Sequence, residues 1–256
     1  LPSLPSLLPT SSTSMRQIAP IFNREFLGYF RSPVAYVFLI VFLLASVGLA
    51  FFAGGFFKAG LATMESYFYF HPWLFLFLVP AAGMRLWSEE KRAGTVELLF
   101  TLPITTLEAV LGKFFAAWAF LAIAILLSFP MAITLGYLGD PDWGVIISGY
   151  AGSILMAAGY LGVCSLMSAL TKNQVISFVL SVFTCVILVL LGTSMFSGFL
   201  TGFLHLPVGI SDLIANFSFL THFDAFAKGI IDPKDVIFFV SLTGLTLFLN
   251  VVALER

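Results

Sequence analysis

The sequence predicts an all-α integral membrane protein with six transmembrane helices. Three observations predict it. The chain is 60% hydrophobic, with a mean hydropathy of +1.05, and only 10% of its residues are charged, where a soluble domain carries about 25%. Six apolar runs, at 34–57, 67–85, 110–138, 145–170, 175–196 and 235–253, approach or exceed the roughly 20 residues that a helix needs to cross a bilayer core. The runs are long and continuous, so helices and not barrel strands would satisfy the backbone inside lipid. A net charge of -1 argues against nucleic acid as a partner.

Taken in order, residues 1–14 differ from the rest of the chain. They hold Pro, Ser, Thr and Leu without charge, and Pro2, Pro5 and Pro9 forbid a continuous apolar helix. They contain no basic n-region, so they do not read as a signal peptide. Met15 reads as a natural start, with 1–14 a disordered extension and 15–256 one membrane domain. Residues 15–31 are amphipathic: Ile18, Ile21, Phe22, Phe26, Tyr29 and Phe30 fall near helical spacing, opposite Arg16, Gln17, Asn23 and Arg24. Such a helix lies in the inner interface. Ser32-Pro33 then supplies an N-cap and a first-turn proline, which turn the chain into the membrane.

Lys and Arg placement sets the orientation. With a cytoplasmic N-terminus, Arg16, Arg24, Arg31, Arg85, Lys91, Arg92, Lys113, Lys172 and Arg256 fall inside, and Lys58, Lys228 and Lys234 outside. Both termini are therefore expected in the cytoplasm, with Arg85 and Lys113 snorkelling from span ends. Residues 139–144 form a short acidic outer turn and 171–174 a tight inner one. Residues 197–234 are too broken to span yet too rich in Phe and Leu for a free loop. They read as an outer re-entrant or interfacial hairpin of two short helices, about 211–220 and 223–228, stopped by Gly229. Its marked residues are Asp212, Phe217, His222, Phe223, Asp224 and Phe226.

Much chemistry is missing. Gly112-Lys113 lacks the rest of a phosphate-binding loop, and neither a nucleophile elbow nor a zinc-type His-Glu-x-x-His occurs. His71, His205 and His222 read as outer, interfacial polar positions and not as a metal site. Cys164 and Cys185 read as buried thiols. The span interiors hold almost no charge, which argues against ion-coupled transport. Gly144, Gly149, Gly152, Gly159 and Gly162 give the fourth span a small-residue stripe, suited either to packing within the subunit or to a dimer seam.

Against this background, 85–113 stands out: it holds eight of the 25 charged residues. The second span is expected to continue as helix through Glu89, Glu90, Lys91 and Arg92, with Gly94 as a hinge. Thr95, Val96, Glu97, Leu98, Leu99 and Phe100 alternate polar and apolar positions up to a stop at Pro103. Thr105 and Glu108 form a capping box for the third span. Apolar residues flanked by charge in an aqueous loop point to a protein contact.

The run Glu89-Glu90-Lys91-Arg92-x-Gly94-Thr95-x-Glu97-Leu98-Leu99, with Pro103 after it, resembles the first cytoplasmic loop of ABC-2 type transporter permeases. The likeness is strongest to the gliding-motility-type members, and it extends to 72–80, 171–174 and 223–235. The resemblance implies a non-catalytic permease subunit in a bacterial inner membrane, paired with a second permease half as a homodimer. Two ATP-binding-cassette subunits would hold the ATP and Mg, and this chain would bind no cofactor of its own. Glu89, Glu90, Arg92, Gly94–Phe100 and Pro103 would form the coupling helix that seats on the ATPase. The expected activity is export of a lipidic or amphipathic substrate. The alternative is a membrane anchor that passes mechanical work to a periplasmic-domain partner.

Overall fold

The computed structural model describes residues 18–54, 63–96, 104–203, 205 and 207–255. Every regular element among them is an α-helix. They are α1 (Ile18–Arg31), α2 (Pro33–Phe52), α3 (Glu65–Tyr69), α4 (His71–Gly83), α5 (Ser88–Ala93), α6 (Thr106–Leu126) and α7 (Pro130–Leu138). They continue with α8 (Trp143–Leu170), α9 (Gln174–Leu190), α10 (Ser194–Gly202), α11 (Val208–Ala215), α12 (Phe219–Ala227) and α13 (Pro233–Leu254). The expected extension 1–14 lies outside the described residues.

Among the described residues, four helical stretches are long and apolar enough to cross a membrane: Pro33–Phe52, Thr106–Leu138, Trp143–Leu170 and Pro233–Leu254. α9 and α10 add a fifth if their 75° bend is counted within one span. Six continuous spans are therefore not what forms. The expected second span breaks at Phe70. Pro72 stands in the first turn of α4 and Pro80 inside it, and each lacks the N–H that would carry a helix on. The 13 residues of α4 reach only about 20 Å. The expected fifth span stops at Leu190 because a new helix starts at Thr193, whose hydroxyl accepts from Phe196 N. α10 is an element that the sequence pattern did not announce.

α8 is the axis of the bundle and packs against α4, α6, α9, α12 and α13. Its glycines explain how so many helices reach it. A Cβ on Gly152 would meet the Phe226 ring at 2.5 Å, and one on Gly159 would meet Phe219 at 3.0 Å; Gly149 receives Phe68 and Gly162 receives Thr246. The small-residue stripe thus serves packing within the subunit. Two hydrogen bonds add to it: Trp118 Nε1 of α6 donates to Ile154 O (2.9 Å), and Asn250 of α13 donates to Ser165 Oγ (2.5 Å).

The side chains are sorted as lipid demands and not as water demands. On α9 the buried stripe is Ser177, Ser181, Cys185 and Val189, one residue every fourth position. Val175, Ile176, Val179, Phe183 and Ile187 face outward. On α2, Val34, Val37, Ile40, Val41 and Leu44 are exposed while Ser46 is fully buried. Large apolar groups outside and small polar ones inside is the arrangement of helices packed in a bilayer. Cys164 and Cys185 are both buried and free.

The start signals form as expected. Ser32 caps α2 with Pro33 behind it, and Thr105 and Glu108 make a full capping box on α6; within the expected inner turn, Asn173 is a cap for α9 that the sequence pattern did not announce. The amphipathic helix α1 docks on α6 through Ile21, where a Cβ on Gly112 would meet Ile21 Cγ2 at 2.7 Å. The two short helices of the 197–234 segment also form, shifted to Val208–Ala215 and Phe219–Ala227, and Gly229 stops the second at φ +89°.

Candidate coupling site

Two of the marked clusters can be built from the residues upward. The first lies where α4 gives way to α5. The second span does not run on as helix through Glu89. A Cβ on Gly83 would press within 2.7 Å of Cys164 Cβ on α8, and the chain then turns through residues 84–87. A turn in this place needs partners for its backbone, and Ser168 of α8 provides them. Its hydroxyl accepts from Trp87 N and Ser88 N, each at 3.0 Å, and donates to Met84 O at 2.9 Å. Ser88 Oγ donates to the same carbonyl. Lys91 then donates to Ala169 O, placing a cation at the C-terminal end of the α8 dipole. Burial pushes the Lys91 ammonium below its ordinary pKa, and the nearby Lys172 charge adds to that.

The other side of α5 is held by Lys113. Its side chain is 5% exposed, lies 2.8 Å from Glu90 Oε1 and 3.4 Å from Glu25 Oε1, and sits 5.1 Å from the centre of the buried Trp87 ring. Lys113 therefore does not snorkel; it is the buried centre of a three-helix ion network. Arg24 extends the network to Glu25 at 2.7 Å. Burial raises the Glu25 pKa, but Lys113 and Arg24 outweigh it, and the carboxyl ends below its ordinary value.

The far end of α5 is its free tip. Gly94 takes the left-handed conformation at φ +70°, closing the helix with its N–H on Glu90 O, a cap that favours glycine. Arg92, Gly94 and Thr95 are exposed there, and Val96 is half-buried; Glu89 is exposed in the first turn of α5. Glu89 and Arg92 have no ion-pair partner among the described residues, so of the described charges marked in this first cluster Glu90 alone forms an ion pair inside the subunit. Glu97, Leu98, Leu99, Phe100 and Pro103 lie outside the described residues.

The second cluster divides. Asp212, Phe217 and Asp224 are exposed, with Asp224 paired to Lys228 at 2.5 Å. His222, Phe223 and Phe226 are buried. α12 is wedged against α8 and α13. Phe219 stacks on Tyr160 with ring centres 4.2 Å apart, and Ser148 Oγ donates to Phe226 O at 2.8 Å. His222 is not an interfacial polar position. Its Nδ1 lies 2.6 Å from Asp235 Oδ1, its Nε2 lies 2.8 Å from Asn216 O, and the ring stacks on Phe238 at 3.9 Å. Both ring nitrogens face oxygen atoms, so the imidazole is held by polar contacts on both sides. Asp235, 1% exposed, is thus a buried carboxylate that the apolar pattern of the last span concealed.

His71 also departs from expectation. It is fully buried at the head of α4, with Nδ1 2.7 Å from Ser153 Oγ, inside a cage of Phe42, Tyr67, Phe68 and Phe75 rings. Among the described residues no three His, Cys, Asp or Glu side chains group as a metal site would need.

Comparison with known families gives one match. The family described as "ABC-2 family transporter protein" covers residues 72–254. Its range opens at Pro72 in α4 and takes in α5, both helices of the second cluster and all of α13. No curated protein matches the chain. A match over more than two thirds of the residues, on a bundle whose exposed faces are apolar, settles the class: the chain belongs to the ABC-2 family of transporter proteins.

Proposed function

We propose that this chain is one half of an ABC exporter's membrane channel, and that the segment from Glu89 to Pro103 seats on a separate ATP-hydrolysing subunit. The observation that carries the reading is the double anchoring of α5. Ser168 and Lys91 fix it to the end of α8, and Lys113 fixes it to α6 and α1. Its tip meanwhile keeps Arg92 and Thr95 exposed. A connector needs no such bracing; a lever does. Push on the tip, and the load passes to the central helix and to the interfacial helix together.

In this reading two copies of the chain pair with two ATPase subunits that carry ATP and Mg in a bacterial inner membrane, both termini of each copy lying in the cytoplasm. Reversing a conformational equilibrium from 1:99 to 99:1 needs about 5.5 kcal/mol of differential binding. Contacts from two tips, one per half, can supply energy of that order. The apolar spans suit a lipidic or amphipathic substrate. The test is co-expression with the ATPase: Glu97→Lys and Leu98→Asp should release the ATPase subunit or uncouple its ATP turnover from transport.

A second reading is favoured by one observation. α8 touches α5 at Ser168 and α12 at Ser148, 20 residues and about 30 Å apart. One rigid helix therefore joins the proposed ATPase end to the proposed outer helices. In a gliding-type complex this route would deliver mechanical work to a periplasmic-domain partner. ATP turnover that responds to such a partner and to no lipid or solute would favour this reading over export.

A further inference from the structure

Beside α5 lies a groove of about 540 Å³, within the range of about 300–1,000 Å³ that small-molecule sites occupy. One wall is apolar: Val34, Val37 and Val41 of α2, with Leu78, Ala81 and Ala82 of α4. The three valines are 52%, 59% and 46% exposed, so this wall opens on the lipid-facing side of α2. The other end is charged, with Glu25, Arg85, Glu89, Glu90 and Lys113. From Val34 to Val41 α2 climbs about 10 Å, roughly the length of half an acyl chain.

The charges are not equivalent. Lys113 is consumed by Glu90 and Glu25. Arg85 and Glu89 are exposed and have no ion-pair partner among the described residues. The guanidinium is therefore free to take a phosphate, and the Glu89 carboxylate is free to take a cation. Glu25 and Glu90 are neutralised by Lys113 and Arg24, which leaves one free charge of each sign, and an anionic headgroup would meet only one of them. We infer that the groove holds one glycerophospholipid with a zwitterionic aminophosphate headgroup: acyl chain along α2 and α4, phosphate on Arg85, primary ammonium on Glu89. A primary ammonium offers N–H donors to the carboxylate, and a quaternary one does not, so phosphatidylethanolamine is selected over phosphatidylcholine. The groove alone carries the inference, which holds whatever the direction of transport or the nature of the cargo.

The test is native mass spectrometry of the full chain in detergent, titrated with dioleoyl phosphatidylethanolamine, phosphatidylglycerol or phosphatidylcholine. One phosphatidylethanolamine should be retained in preference to the other two. Arg85→Gln should weaken its retention by about tenfold or more, and Val37→Trp, which fills the groove, should abolish it. Glu89→Lys, which makes the groove net positive, should move the preference to phosphatidylglycerol. Circular dichroism checks that each variant is folded; all three positions are exposed, so each should be. Equal retention of the three lipids by the unaltered chain would overturn the assignment. So would a folded Arg85→Gln chain with unchanged retention, or a lipid-free dimer that Val37→Trp dissociates, which would give the groove to a second copy.

Discussion

Lys113 Nζ lies 2.8 Å from Glu90 Oε1 and 3.4 Å from Glu25 Oε1, so a single buried amine ties α5, α1 and α6 together. Two acids on one base make the network redundant. Glu90→Gln alone should therefore cost only about 1–2 kcal/mol, because Glu25 still neutralises the amine. Replacing both acids leaves a buried cation unpaired, which costs about 3–5 kcal/mol. Thermal unfolding of the single and double variants in detergent should show this more-than-additive loss.

Acid should loosen α1. The Glu25 carboxyl sits below its ordinary pKa of 4.5 because Lys113 and Arg24 favour its charged form. A depressed folded pKa contributes stability that is present above the ordinary value and lost as pH falls through the folded one. The protection factors of the α1 amides, exchange being corrected for its intrinsic pH dependence, should therefore be flat above pH 4.5 and fall beneath it. Glu25→Gln should remove the transition.

The seat of α1 on α6 has no spare room. Gly112→Ala places a methyl 2.7 Å from Ile21 Cγ2, an overpacking worth about 1–3 kcal/mol. Proteolysis between α1 and α2 should become faster. Adding Ile21→Ala should restore much of the protection, since the two changes share one space.

Ser168→Ala removes the only side-chain acceptor that the structure gives to Trp87 N and Ser88 N among the described residues. Each stranded buried donor costs about 1–3 kcal/mol. The turn at 84–87 should open, and the assembled complex should hydrolyse ATP with weaker linkage to transport. Gly94→Ala acts at the other end of α5. Its φ of +70° costs an L-residue about 1 kcal/mol, and Gly94→Asn should be tolerated better. ATP turnover coupled to transport is the measurement for both.

These sites also show what a sequence can reveal. Local chemistry was legible: Ser32-Pro33, and Thr105 with Glu108, cap the helices they announce. Lipid exposure was legible in the apolar runs. What depends on a distant partner was not. Nothing in Met84-Arg85-Leu86-Trp87 marks a turn, because the group that stabilises it, Ser168, lies about 80 residues away in the chain. Lys113 read as a span-end charge because its acids come from two other helices. His222 and Asp235 read as separate residues because only the chain reversal at Gly229 brings them to 2.6 Å. The bend after Leu190 was hidden for the same reason: a Cβ on Gly192 would meet Ser218 Cβ at 2.7 Å, and Ser218 belongs to the returning chain.

The central claim is that the segment from Glu89 to Pro103 is where an ATPase subunit takes hold. The most direct measurement compares Leu98→Asp with the unaltered chain after co-expression with the ATPase subunit, recording both the ATPase retained on purification and its ATP turnover in the reconstituted membrane. The account predicts that one or both are lost while the chain stays folded and membrane-inserted. Full retention together with unchanged, transport-linked turnover would contradict it.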